Sequence, residues 1–362
     1  MSIKVLNGDC LEVLDELTEK SVDTCITSPP YYGLRDYNTG KWIGGDLDCP
    51  HKRMTKISKD TATGHKNMHE HGDVVGDAIY KSVCPKCGAT REDKQIGLED
   101  SPEEYVESMV EVFRKVRRVL KDEGTVWLNL GDSYVSTHPT GTRDSDTGWK
   151  HGELSQGHQA RAGGAGGIYK VKDLMGIPWM VALALREDGW YLRQDIIWHK
   201  PNPMPESVQD RCTKAHEYIF LLTKQRNYYY DHEAIKVPVK EDWGKRNRSE
   251  GKYHNEGTGL SPHTGLEDSY ETANKRSVWT VTTKPFKGAH FAVFPPDLIE
   301  PCVLAGCPED GTVLDPFGGA GTTGLVADRN GRNAILIELN DEYAEMAIDR
   351  LYNDAPLFVD IE

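Results

Sequence analysis

The sequence lacks any segment that could cross a membrane. Its best apolar run, residues 177–185, is interrupted by Pro178 and is far shorter than the roughly 20 residues that a spanning helix needs. The N-terminal stretch MSIKVLNGDC also lacks the apolar core of a signal peptide, so we expect a cytoplasmic protein with no membrane partner. In a reducing compartment, the 8 cysteines predict free thiols or a metal site rather than disulfides.

An excess of basic residues is missing as well. The 362-residue chain carries a formal net charge of -14 at pH 7, which weighs against a simple basic nucleic-acid-binding domain. Acidic residues are nevertheless absent between Thr272 and Pro296, and two basic clusters stand out: Lys275, Arg276, Lys284 and Lys287, and Lys245, Arg246, Arg248 and Lys252. Because phosphate contacts need only a local basic surface, two interpretations stay open here, a nucleic-acid interface and a solvated charged face.

The apolar pattern predicts strands that alternate with helices. Expected strands cover residues 3–6, 22–27, 125–130, 191–198, 217–223, 312–314 and 334–338. The clearest helix begins after Ser101, where Pro102 and Glu104 complete a capping signal and apolar residues recur at helical spacing. This alternation is typical of an α/β fold with a doubly wound, mostly parallel sheet, and 362 residues suffice for one domain with insertions or for two domains.

A glycine-rich loop lies near the end of the sequence, in VLDPFGGAGTTG (residues 313–324). Gly319, Gly321 and Gly324 match G-x-G-x-x-G between a predicted strand and a predicted helix, and Glu338 ends the next strand. Such a loop binds adenosine cofactors, because glycines let the ligand approach the backbone and the acid can accept hydrogen bonds from ribose hydroxyls. A Walker loop is excluded, since no Gly-Lys-Ser/Thr follows, but the pattern does not separate NAD from other adenosine cofactors.

A second unusual loop, TSPPYYG (residues 27–33), directly follows the predicted strand at 22–27. Its prolines cannot extend a central strand, since proline has no backbone N–H to donate. Too few residues follow the glycine loop to complete a sheet, so the missing strands must come from the N-terminal part of the chain. Ligands of open α/β sheets lie beyond the carboxyl ends of the strands, which predicts that Ser28–Tyr31 and Asp315–Gly321 share one rim.

With these two motifs in this order, the sequence resembles the β class of DNA amino-methyltransferases. That class carries (S/N/D)-P-P-(Y/F) early and D-P-F-x-G-x-G-T-T late. The shared segments are Asn7–Cys10, Ser28–Tyr31, Thr125–Tyr134, Trp198–Lys224, His290–Leu298 and Asp315–Glu338. The resemblance implies a permuted, Rossmann-like methyltransferase fold that transfers a methyl group from S-adenosylmethionine to an exocyclic amine of a base in double-stranded DNA.

The resemblance also implies roles for the residues of the SPPY loop (Ser28–Tyr31). Ser28 and the carbonyl of Pro29 would accept hydrogen bonds from the amine, Pro29 and Pro30 would stiffen the loop, and Tyr31 would stack on a base flipped out of the duplex. In this class S-P-P accompanies N4 of cytosine, whereas D-P-P and N-P-P accompany N6 of adenine. Cytosine N4 is therefore the favoured target, and adenine N6 is the alternative.

The same resemblance assigns the cofactor contacts. Glu338 would bind the ribose and Asp9 would approach the adenine. The methionine end would be held by Asp315, Phe317, Gly319, Gly321 and Thr322. Methylation at C5 of cytosine needs a nucleophilic cysteine in a Pro-Cys loop. It is excluded, because the candidate dipeptide Pro301-Cys302 lies in a predicted helix before the glycine loop.

Two more distant alternatives lie outside methyl transfer. An NAD-dependent oxidoreductase shares the glycine loop but leaves TSPPYYG and the permuted order without a role. A non-catalytic, zinc-containing nucleic-acid binder accounts only for the cysteines and the basic clusters.

The polar segment 37–97 contains a zinc-knuckle pattern. Cys84 and Cys87 stand two residues apart before Gly88, and the nearest other ligands are Cys49 and His51. We expect these four side chains to bind a structural zinc ion, because four protein ligands leave no open position for catalysis. Free surface thiols are the alternative, and the rival candidates for the histidine ligand are His65, His69 and His71.

These motifs divide the chain into four parts. Residues 1–36 and 98–224 form the expected catalytic half, 37–97 the zinc-binding insertion, 225–285 a target-recognition segment and 286–362 the cofactor half. The recognition segment offers side chains able to meet phosphates or base edges: Trp243, Lys245, Arg246, Arg248 and Arg276. A homodimer and a cognate restriction nuclease are further partners that the resemblance leaves open.

Overall fold

The computed structural model describes residues 1–34, 37, 39–53, 78–79, 83–135, 169–239, 271–283, 294–354 and 360–361. Several residues named above lie outside these ranges: Trp243 with the basic cluster around it, Lys284 and Lys287 of the other basic cluster, residues 290–293, and the histidines His65, His69 and His71. Within these ranges, no helix combines the length and the apolar character that a membrane crossing requires.

The elements follow the predicted alternation. The strands are β1 (Ser2–Asn7), β2 (Val22–Thr27), β3 (Lys41–Ile43), β4 (Lys52–Arg53), β5 (Ala78–Ile79), β6 (Thr90–Glu92), β7 (Leu120–Leu130), β8 (Tyr191–His199), β9 (His216–Thr223), β10 (Val237–Pro238), β11 (Thr272–Ala273), β12 (Val278–Thr280), β13 (Thr312–Asp315), β14 (Asn333–Glu338) and β15 (Asp360–Ile361). The helices are α1 (Cys10–Glu16), α2 (Pro102–Val119), α3 (Ile177–Glu187), α4 (Pro296–Gly306), α5 (Thr322–Arg329) and α6 (Asp341–Asp354).

A nine-stranded sheet in the order β12-β8-β9-β7-β2-β13-β14-β1-β15 organises the described chain. Every neighbouring pair is parallel except those made by β9, which runs antiparallel to both β7 and β8. The mostly parallel sheet confirms the predicted fold class. Its reversed strand follows from the described link between β8 and β9, which contains no helix that could carry the chain back for a parallel crossover.

The sheet joins the two ends of the sequence. Strand β1 pairs with β14 from Ile3↔Ala334 to Asn7↔Glu338, and β13 pairs with β2 through Val313↔Thr24 and Leu314↔Cys25. The C-terminal strands therefore complete a sheet begun by the N-terminal strands, as the permuted order predicts. Consequently β1, β2, β13 and β14 all end at one rim.

Helices cover both faces of this sheet. Helices α1, α2 and α3 pack on one face, with α2 contributing Tyr105, Met109 and Phe113, all completely buried. The other face is covered by α4, α5 and α6. The side chains of β7 alternate accordingly, so that Val126 belongs to the first core and Trp127 to the second. Burial on both faces fixes the strand ends that carry the site.

The start of α2 shows how the local sequence determines where a helix begins. Ser101 Oγ accepts a hydrogen bond from Glu104 N at 3.2 Å, and Pro102 occupies the first turn. The Glu104 carboxylate accepts from Asp100 N at 3.1 Å rather than from Ser101 N, so only one half of the expected capping box forms.

Candidate active site

The two motif loops are joined at the residues where their strands end. Thr27 Oγ1, at the end of β2, donates to Asp315 Oδ1 at 2.7 Å, at the end of the adjacent β13. The same carboxylate accepts from Phe317 N at 3.0 Å and from Thr323 Oγ1 at 2.6 Å. The structure therefore places the SPPY loop and the glycine loop side by side and links them through one carboxylate.

Asp315 is only 1% exposed, and burial raises its pKa from 3.8 to about 6 against the opposing effect of its hydrogen bonds. Above that pH a buried negative charge depends on Thr27, Thr323 and the Phe317 amide for stabilisation. Both oxygens are engaged by the protein. The residue positions the loops, and its direct contact with a cofactor stays a prediction.

The glycine loop turns tightly back against β14. Gly319 and Gly321 have φ angles of +51° and +73°, in the left-handed region that favours glycine. Gly319 N donates to Glu338 Oε2 at 2.8 Å, and a Cβ on Gly321 would lie 3.0 Å from Ala347 Cβ. The loop backbone is thus held against the acid at the end of the next strand.

Thr322 closes this loop at the start of α5. Its side-chain hydroxyl accepts from Arg350 Nη1 at 2.8 Å, and the same atom of Arg350 donates to Ala320 O at 2.9 Å. The residue is 3% exposed. In this structure Thr322 anchors the loop to α6, and its contact with a cofactor stays a prediction.

Asp9 and Glu338 line one pocket, together with Phe317 and, from the SPPY loop, Pro30. The pocket is a partly open cleft with about 440 Å³ of empty space, open solvent included. Asp9 caps α1 by accepting from Leu11 N at 2.8 Å. Burial raises the pKa of Glu338, whose Oε1 accepts from Asn340 N at 2.9 Å. The pocket thus presents two acids and an aromatic ring next to the SPPY loop.

The SPPY loop is held by hydrogen bonds to neighbouring strands and helices. Tyr31 OH donates to Glu217 Oε2 at 2.8 Å, with Asn129 Oδ1 at 3.2 Å and Ser28 Oγ at 3.4 Å. Burial raises the pKa of Tyr31 well above its usual value, so the phenol stays protonated. Tyr105 OH on α2 donates to Pro30 O at 2.9 Å.

Gly131 provides the surface against which the Tyr31 ring packs. A Cβ at Gly131 would lie 2.5 Å from Tyr31 Cε2, closer than atoms can approach. Only a glycine directly after β7 therefore accommodates this ring position.

The sequence analysis missed the ion pair beneath the loop. Glu217 pairs with Lys200, and the two side chains are 16% and 19% exposed. Because β9 is antiparallel, its first residues lie at the rim where its neighbours end, with Tyr218 opposite Leu130. Recognising the reversed direction of β9 was the signal that could have revealed Glu217.

The four predicted zinc ligands converge. One ligand atom each from Cys49, His51, Cys84 and Cys87 lies within 4.8 Å of the others. The separation is 3.8 Å between Sγ of Cys49 and Cys84, and 3.6 Å between Cys87 Sγ and His51 Nδ1. A tetrahedral zinc with bonds of about 2.3 Å to sulfur and 2.0–2.1 Å to nitrogen requires edges of about 3.8 and 3.6 Å. The donor set therefore fits a structural zinc.

Comparison with known proteins now decides the family. A family model described as DNA methylase, of the N6 and N4 type, matches residues 22–349. The chain belongs to this family. It is 39% identical over 350 residues to the type II methyltransferase M.SmaI of Serratia marcescens, covering 97% of this chain and 91% of that protein. The type II methyltransferase M.Cfr9I of Citrobacter freundii is 38% identical over 350 residues, with coverage of 97% and 88%.

A solved structure shares the fold at low sequence identity. The PvuII DNA methyltransferase, described as cytosine-N4-specific, superposes with a TM-score of 0.55 at 17% identity, over 96% of this chain and 87% of that one. The DNA methylase is therefore an S-adenosylmethionine-dependent DNA amino-methyltransferase of the N4-cytosine or N6-adenine class. This membership contradicts both alternatives outside methyl transfer, the NAD-dependent oxidoreductase and the non-catalytic binder.

Proposed function

We propose that this DNA methylase transfers the methyl group to N4 of cytosine. The observation that carries the proposal is the Thr27–Asp315 hydrogen bond, which sets Ser28 directly beside the glycine loop. A serine at the first position of the SPPY loop favours cytosine by the family correlation, and the structural neighbour described as cytosine-N4-specific agrees with it. Adenine N6 is the second outcome of the test below.

The hydrogen-bond direction at Ser28 suits it to accept from an amine. Ser28 Oγ donates towards Tyr31 OH, and Tyr31 OH donates to the Glu217 carboxylate. This orientation leaves the lone pairs of Ser28 available for one amine hydrogen, and the carbonyl of Pro29 would accept the other. Two acceptors favour a pyramidal nitrogen whose lone pair leaves the ring and points at the methyl group.

S-adenosylmethionine would supply an electrophilic methyl group, and residues of the pocket would hold it. Glu338 would accept from the ribose hydroxyls, Asp9 would meet the adenine, and Phe317 would cover the ligand within the same pocket. Pro30 lines that pocket too, so the donor and the base would meet at the SPPY loop. A base reaches this position only when it is flipped out of the duplex.

The Cys/His cluster has a proposed structural role. We infer that Cys49, His51, Cys84 and Cys87 bind one zinc ion, because their separations match tetrahedral coordination. Metal analysis of the purified protein tests this: about one zinc per chain is expected, and its absence would refute the site.

Three further proposals concern the partners of the protein. The segment 225–285 is the proposed reader of the DNA sequence. A cognate restriction nuclease is proposed as a partner, because the relatives are named type II methyltransferases. A homodimer stays a prediction from the resemblance, and light scattering of the purified protein tests it.

The target base is tested by product analysis. The protein is incubated with labelled S-adenosylmethionine and DNA of mixed sequence, and the DNA is digested to nucleosides. Label in N4-methylcytosine supports the proposal. Label in N6-methyladenine would make adenine the target base instead of cytosine. Absence of label in every DNA sequence would contradict both assignments.

A further inference from the structure

The polar insertion reaches the pocket that contains Asp9 and Glu338. Five residues at the two ends of segment 37–97 line that pocket: Tyr37, Thr39, Lys94, Gln95 and Ile96. The segment lies outside the motifs shared with the family. One wall of the pocket is therefore built by the segment that also carries the Cys/His cluster.

The two ends of the insertion are clasped to each other at this wall. Tyr37 N donates to Gln95 Oε1 at 2.7 Å, and Thr39 Oγ1 donates to Asp93 Oδ1 at 2.7 Å. Gln95 N donates to the same Asp93 oxygen at 3.1 Å. We call these four residues the clasp. Its three hydrogen bonds, each with at least one side-chain partner, hold this wall in place.

The clasp is also tied to the cofactor half. Asn340 Nδ2 donates to Tyr37 O at 3.1 Å, and Asn340 N donates to Glu338 Oε1 at 2.9 Å. The Tyr37 ring meets that of Tyr343 edge-on, with centroids 6.3 Å apart. A continuous chain of hydrogen bonds thus runs from Glu338 through Asn340 and Tyr37 to Gln95.

A short ribbon connects the clasp to the Cys/His cluster. Strands β3 and β6 pair antiparallel, with Lys41 opposite Glu92 next to the clasp and Ile43 opposite Thr90 at the other end. Trp42 of β3 stacks on His51, with ring centroids 4.4 Å apart. A two-stranded ribbon of this length is marginal on its own, so a metal ion bound at the cluster would add to its stability.

We propose that metal binding at the Cys/His cluster and S-adenosylmethionine binding in the pocket are thermodynamically coupled through the ribbon and the clasp. The proposal rests on the proposed zinc site. Metal holds the ribbon, the ribbon holds the clasp, and the clasp holds the wall beside Glu338. Since coupling between two ligands is reciprocal, the cofactor must strengthen metal retention by the same factor by which the metal strengthens cofactor binding.

Calorimetric titration of S-adenosylmethionine, which needs no turnover, tests the coupling. The zinc-loaded protein is compared with protein stripped by a chelator and with Gln95→Ala, which removes the side-chain oxygen that accepts from Tyr37 N. Each change is expected to weaken cofactor binding roughly tenfold. Leu47→Ala is the matched control, because Leu47 belongs to the same insertion and is 100% exposed, and it should leave the affinity within about twofold of wild type.

Thr39→Val, which removes only one side-chain donor from the clasp, serves as a milder second variant if Gln95→Ala does not fold. The reciprocal arm measures zinc loss to a chelator, which saturating cofactor should suppress by the same factor. A cofactor affinity that does not change when the zinc is stripped overturns the coupling, whatever the two clasp variants show. Purified protein without zinc refutes the metal site and the coupling, whereas methyl transfer by that protein would leave the proposed reaction standing.

Discussion

Thr27→Val removes the hydrogen bond between the two motif loops while preserving the shape of the side chain. Thr27 is 1% exposed and donates to a carboxylate that is itself buried. Loss of a hydrogen bond to a charged group costs about 1.5–3 kcal/mol, so the free energy of unfolding should fall by about 2 kcal/mol. The pKa of Asp315, about 6 in the intact protein, should rise further, because the Thr27 hydroxyl lowers it.

Thr24→Val is the matched control for this change. Thr24 lies on the same strand, is equally buried, and donates to Thr125 O at 3.0 Å rather than to the glycine loop. Its replacement should cost about 1 kcal/mol of stability. Denaturant unfolding gives both losses, and single-turnover methyl transfer gives the rates.

Only the Thr27 variant should also slow transfer, roughly tenfold, since the donor and acceptor loops would lose their common anchor. Equal transfer rates in the two variants would contradict the claim that this hydrogen bond positions the site.

Two further predictions concern residues around the loops. Gly131→Ala should displace the Tyr31 ring, whose Cε2 would lie 2.5 Å from the new Cβ, and kinetics should show roughly a tenfold loss of transfer with cofactor affinity retained. The folded-state pKa of Asp315 is raised, so its stabilising contribution is present at low pH and is lost as the pH rises from 3.8 to about 6. Unfolding of wild type relative to Asp315→Asn should reveal this as a fall of about 3 kcal/mol over that interval, and a flat difference would contradict the burial argument.

The proximity of the two loops was predictable from the sequence. Parallel strands end at one rim, and the glycine loop stands too late in the chain to complete its own sheet. These two facts sufficed to place Ser28 near Asp315 across a separation of nearly the whole chain. The tight turn at Gly319 and Gly321 was predictable from the G-x-G-x-x-G spacing, and both glycines adopt positive φ.

The supporting contacts were not predictable, because each depends on long-range packing. Glu217 reaches Tyr31 only because β9 runs against its neighbours, a direction that shows in the helix-free link before β9 and not in the apolar pattern of β9 itself. Tyr105 was not singled out by the sequence pattern of α2, yet its hydroxyl donates to the carbonyl of Pro30. The pocket wall was missed because a polar insertion carries no apolar periodicity that would indicate where it docks.

The central claim is that the two loops divide the work, the SPPY loop acting on the base and the pocket beside the glycine loop holding the cofactor. Ser28→Ala tests it most directly when cofactor affinity and the single-turnover rate are measured on the same preparation. The account predicts an affinity within about twofold of wild type and a rate reduced roughly 100-fold or more. A variant that loses cofactor affinity to the same extent, or that methylates DNA at the wild-type rate, would contradict it.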